Sequence, residues 1–171
     1  QYIQTDCNYG DRAALLKLDD LLSHPIPSKD LLVVTTTEID TIGEQLSSNA
    51  QTLMEVILSK IAKAVHQLKK AGYQKAIIVA DHGFVWGQDF QIGNAVSKPV
   101  GEWIVQKSWF VAGKGSGDSH LIELKPADIE LKAEVTHFQF LKNYAGFKSG
   151  TTYVHEGLSA QENIVPYLEI M

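Results

Sequence analysis

Hydrophobic positions along the chain follow two rhythms. Between residues 52 and 71, Leu53, Val56, Ile57, Ile61, Ala64, Val65 and Leu68 recur at intervals of three and four, with lysines between them. This spacing predicts an amphipathic helix. Lys69 and Lys70 sit where the last turn should be, and Gly72 stands where helices commonly stop. Two unbroken apolar runs flank this segment: Leu31, Leu32, Val33 and Val34, leading into Thr35, Thr36 and Thr37, and then Ala76, Ile77, Ile78, Val79 and Ala80. Such runs predict strands buried on both faces, as in a parallel sheet. Strand, long helix and strand in that order predict a right-handed parallel βαβ unit. The fold class expected is therefore α/β, a mostly parallel sheet flanked by helices.

The remaining segments give weaker signals. Ala13, Leu15, Leu16, Leu18, Leu21 and Leu22 alternate with charged residues and suit a short amphipathic helix ended by Pro25 and Pro27. Residues 1–30 thus read as a helical lead-in to an α/β core over 31–171, within a single domain. The polar excursion 87–99 reads as a loop or lid. Trp103, Ile104 and Val105, then Ser108, Trp109, Phe110, Val111 and Ala112, predict one interrupted strand or two short ones. The glycine-rich 113–118 lacks P-loop spacing and reads as a flexible turn. Tyr153 and Val154 predict a strand ending at His155, and Ser159-Ala160-Gln161-Glu162 has the form of a capping box opening a brief helix before Pro166. His66, His120 and His137 read as surface or core histidines.

Candidate chemistry gathers at the strand exits. The run 76–80 stops at Asp81-His82-Gly83, a carboxylate, an imidazole and a glycine at the carboxyl end of a strand, where open α/β sheets place ligands. Adjacent strand side chains point to opposite faces, so Asp81 and His82 share a site only if the strand ends there. Gly83 permits the turn this needs. The other exit, 38–44, carries Glu38, Asp40 and Glu44. On a helix, Asp40 and Glu44 stand four apart on one face and could present two oxygen ligands to a metal. A parallel pair would bring both exits to one sheet edge. Each cluster alone also has a plainer reading, a polar turn for one and a solvated acidic helix start for the other.

Composition narrows the function classes. At 171 residues and 44% apolar content the chain suits one domain with a true core. A net charge of −5 gives no electrostatic footprint for strong nucleic-acid binding. No run is long enough for a membrane span, and the start has no signal-peptide form. The single cysteine, Cys7, excludes an internal disulfide framework and fits a reducing cytoplasm. Gln1 in place of Met predicts a segment of a longer polypeptide.

Three motifs in order, EIDTIGE at 38–44, ADHGF at 80–84 and YVHEGLSAQENIVP at 153–166, resemble the PglZ branch of the alkaline phosphatase superfamily. The resemblance covers about the last four fifths of the chain. It implies two divalent ions, Zn2+ or Mn2+, above the sheet, with Asp40 and His155 as ligands of one and Asp81 and His82 as ligands of the other. Where the family has a histidine four residues after the first aspartate, this chain has Glu44, a change toward harder metals. The family's nucleophile and its accompanying aspartate match nothing in the residues before Glu38, so no catalytic residue is assigned. The implied function is the C-terminal portion of a metal-dependent phosphohydrolase or phosphodiesterase from a BREX-type phage-resistance protein. Its substrate would be a phosphoester, nucleic acid included, and its partners other defence proteins. The rival readings are a non-catalytic interaction module on the same scaffold and a flavodoxin-like regulatory domain.

Overall fold

The fold is that of a computed structural model describing residues 9–45, 49–86, 95–115, 117–142, 146–147 and 153–171. Cys7 and most of the expected loop over 87–99 lie outside the described residues. The chain forms two compact units, one from residues 1–78 and 168–171, the other from residues 79–167.

In the first unit, β1 (Ala13–Lys17) pairs in parallel with β2 (Leu31–Thr35), Ala13 opposite Leu31 and Lys17 opposite Thr35. Helix α1 (Leu18–Ser23) follows β1 directly and supplies the crossover that parallel strands require. The helix expected from Ala13 onward is thus half strand: Ala13–Lys17 pairs with β2, and only the later leucines are helical. Leu18 and Leu21 pack with Ala64 as a buried cluster, with Leu16, Leu32, Val34 and Ile61 around it.

Helix α2 (Glu38–Gln45) occupies the expected acidic exit, and α3 (Ala50–Lys70) is the predicted long helix, burying Met54, Ile57 and Ala64. It ends in a Schellman motif: Gly72 N–H donates to Lys69 O, Tyr73 N–H donates to Leu68 O, and Gly72 takes φ 99°, which glycine adopts without strain. Glu38 of that acidic exit has a structural role. Lys60 of α3 lies 2.9 Å from Glu38 and 3.1 Å from Asp19 of α1, joining three helices and raising the Lys60 pKa.

The mostly parallel, helix-flanked sheet is not what forms. β2 pairs with β1, and β3 (Ala76–Val79) pairs with β10 (Tyr167–Ile170), so the two predicted strands are not neighbours. Nor is β3 buried on both faces: Ile77 and Val79 are 51% and 61% exposed, alternating with half-buried partners. The second unit is antiparallel. A ribbon joins β4 (Val85–Trp86) to β9 (Tyr153–Val154). A four-stranded sheet runs in the order β5 (Gly101–Gln106), β6 (Phe110–Gly115), β8 (His137–Leu141), β7 (Leu121–Leu124). Short apolar runs carry burial but no partner or direction, which is why the sequence pattern pointed to the wrong sheet.

Trp103 to Ala112 forms parts of two paired strands, as one of the two readings had it. The expected turn over 113–118 is corrected in its first half: Gly113 and Gly115 lie in β6. A Cβ on Gly115 would come within 2.4 Å of the Trp103 ring, and one on Gly113 within 2.1 Å of Glu102 O. Those glycines serve close approach rather than flexibility. No helix among the described residues is long and apolar enough to cross a membrane.

The cluster around Leu21 should dominate the first unit's stability. Leu21→Ala should cost about 2–5 kcal/mol in chemical denaturation, whereas Leu15→Ala, at a position 67% exposed, should cost under about 0.5 kcal/mol. Equal losses would place the core elsewhere.

Candidate functional site

The ADHGF motif and the His155 loop meet because β4 and β9 are antiparallel. Val85 lies opposite Val154, so the residues before Val85 run beside those after Val154. Val85 and Val154 are buried with Trp109, which seats this ribbon on the hairpin between β5 and β6. His82 and His155 emerge at the same end, their rings stacked with centroids 4.4 Å apart and planes 10° from parallel. Tyr153 lies against His155 at 5.7 Å and against Phe84 at 4.9 Å, flanking the pair with aromatic surface.

β3 ends at Val79, before the motif, so Asp81 and His82 are not held to opposite faces. Asp81 Oδ1 accepts the His82 backbone N–H at 3.1 Å and lies 3.8 Å from His82 Nε2. His82 Nδ1 is 3.0 Å from Gly83 O. A carbonyl can only accept, so in the neutral ring the proton sits on Nδ1 and Nε2 carries the lone pair. Gly83 is required by close approach: its N–H donates to Glu162 O at 2.8 Å, and a Cβ there would sit 2.0 Å from Gln161 O.

The His155 loop is held by α4 (Ala160–Asn163), opened by the predicted capping box, in which Glu162 N–H donates to the Ser159 side chain. Next to His155, Glu156 Oε1 is 3.4 Å from Lys107 Nζ. Its Oε2 is buried and has no hydrogen-bond partner among the described residues. An orphaned buried carboxylate oxygen is costly unless a cation or donor reaches it. Neither Glu156 nor Lys107 stood out in the sequence; only the adjacency of Glu156 to His155 could have flagged it.

Of the five expected ligands, Asp81, His82 and His155 come together in the second unit. Asp40 and Glu44 belong to the first unit, on successive turns of α2, Asp40 half-buried and Glu44 exposed. Among the described residues no group of three or more His, Cys, Asp or Glu side chains is arranged to hold an ion. The donor chemistry nevertheless fits divalent metals, with a carboxylate, two imidazoles and one ring fixed in the ligating tautomer. Donors sharing one ion at about 2.0–2.2 Å lie roughly 3–3.5 Å apart, and Asp81 Oδ1 and His82 Nε2 at 3.8 Å are close to that spacing.

His66 is exposed on α3, and His137 lies 3.6 Å from Glu123 within the four-stranded sheet. The His120 backbone N–H donates to Asp118, holding that carboxyl below its ordinary pKa in a turn before β7.

Gly83→Ala should destabilise the protein by about 1–3 kcal/mol in denaturant titration, because the turn 81–84 must leave Gln161. An unchanged midpoint would mean that this turn is not seated there.

No match was found among curated proteins. The family model of the BREX system PglZ alkaline phosphatase-like domain matches residues 4–170. The chain, with its ADHGF turn and its His155 loop stacked ring on ring, belongs to the PglZ family.

Proposed function

We propose that this chain is the metal-binding portion of a phosphoester hydrolase of PglZ type, acting in the cytoplasm as part of phage defence. The observation carrying this reading is the stacked pair of His82 and His155 beside Asp81. Imidazole lone pairs lie in the ring plane, so two parallel rings cannot aim at one point. Rings whose centroids lie 4.4 Å apart can serve two neighbouring ions where their lone pairs face the same way. Two-metal phosphoryl-transfer sites space their ions about 3.5–4 Å apart.

On this reading Asp81 and His82 would hold one Zn2+ or Mn2+, and His155 would serve a second. Bound ions of this kind stabilise phosphoryl oxygens as Lewis acids and acidify an attacking oxygen. Asp81, by accepting the His82 N–H, fixes the first ring's backbone. The Gly83 carbonyl fixes its tautomer, and the buried Tyr153 packs against His155. The substrate class is a phosphoester, with nucleic acid among the possibilities and a nucleophile still to be assigned.

A second reading, a non-catalytic interaction module, is favoured by the lack of a three-ligand cluster among the described residues and by Glu44 in place of a histidine. Calorimetric titration of the chain with Zn2+ and with Mn2+ should detect binding, and Asp81→Ala and His82→Ala should each weaken it by at least about 10-fold. Absence of binding, or binding indifferent to both substitutions, would reject the metal site. Hydrolysis of bis-p-nitrophenyl phosphate by a protein carrying the chain, stopped by chelation, would favour the hydrolase; stable inactivity in the metal-loaded protein would favour the module.

A further inference from the structure

Glu162 is 3% exposed, and its carboxylate is engaged on both oxygens. Oε1 accepts the Gly157 N–H at 2.7 Å; Oε2 accepts the Ser159 N–H at 3.1 Å and the Ser159 hydroxyl at 2.6 Å. A capping-box glutamate ordinarily reaches back only to the N-cap N–H. Here the second oxygen goes further, to Gly157, two residues beyond His155. Gly157 suits this contact because a Cβ there would lie 2.6 Å from Glu162 Oε2. At the same time the backbone carbonyl of Glu162 accepts the N–H of Gly83, the residue after His82, at 2.8 Å. One residue therefore grips both histidine-bearing loops, one through its side chain and one through its main chain.

We infer that Glu162 is the positioning residue of the histidine pair, the group that keeps the His82 and His155 rings parallel and in contact. The inference rests on the proposed metal-site reading for its consequence, but not for its geometry. Removing the carboxylate leaves the Gly157 and Ser159 N–H groups without their acceptor and frees the His155 loop. The β4–β9 ribbon and its buried valines stay in place. Stacking then fails before the fold does.

The experiment uses the metal-free full chain with histidine rings isotopically labelled, compared with Glu162→Gln and Ser159→Ala. Stacked rings shield each other, so the His82 and His155 ring protons should resonate upfield in the unsubstituted chain. Glu162→Gln, which faces an amide N–H2 toward a backbone donor, should lose most of that shift and weaken Zn2+ binding by about 10–100-fold. Ser159→Ala removes one donor and leaves the grip on Gly157, so it should keep most of the shift. A folded Glu162→Gln protein with unchanged ring shifts would overturn the inference, as would equal losses in both variants. Should Glu162→Gln fail to fold, Gly157→Ala displaces the same carboxylate and is judged by the same shift. If the unsubstituted chain binds no Zn2+ yet Glu162→Gln still releases the rings, the positioning role stands and the metal reading falls.

Discussion

The second unit's chemistry depends on one pairing, the antiparallel contact of Val85 with Val154. It is only two residues long on each strand, and a ribbon that short is not stable by itself. Burial makes up the difference. Val85, Trp109 and Val154 are each at most 4% exposed, and they fix the ribbon against the neighbouring hairpin. Because the strands are antiparallel, the turn entering one lies beside the loop leaving the other. Two histidines more than seventy residues apart in the chain thereby come into ring contact.

Around that contact, glycines do the steric work and a buried carboxylate the electrostatic work. Gly83 lets the first turn touch the main chain of Gln161 and Glu162, and Gly157 lets the second loop reach the Glu162 carboxylate. Polar groups buried in this way are stabilising only when satisfied, and those of Glu162 are. Glu156 Oε2 is the exception close to His155. Among the described residues that oxygen has no hydrogen-bond partner, although the other oxygen of the same carboxylate faces Lys107.

The long helix and the caps were legible from the sequence because their signals are local. The spacing from Leu53 to Leu68, the stop at Gly72 and the Ser159–Glu162 box each specify a conformation within a few residues. Strand pairing was not, because it is decided between distant segments. Ala76–Val79 reads as a buried run, yet Ile77 and Val79 are exposed and the partner is Tyr167–Ile170, a stretch whose four residues are all exposed and show no alternation. The meeting of His82 with His155 was legible through the family motifs, but the route to it was not. A common edge of a parallel sheet was expected for the 38–44 and 81–82 exits, whereas an antiparallel ribbon is what joins His82 to His155. Lys107, Glu156 and the reach of Glu162 to Gly157 depend on tertiary contacts that no spacing encodes.

The central claim is that the parallel rings of His82 and His155 present donors to two neighbouring ions. It is tested most directly by anomalous diffraction from crystals of the chain grown with Zn2+ or Mn2+. The account predicts two peaks about 3.5–4 Å apart, one against Asp81 and His82 and the other against His155. A metal-soaked crystal with no peak at these residues, or with both rings turned onto a single ion, would contradict it.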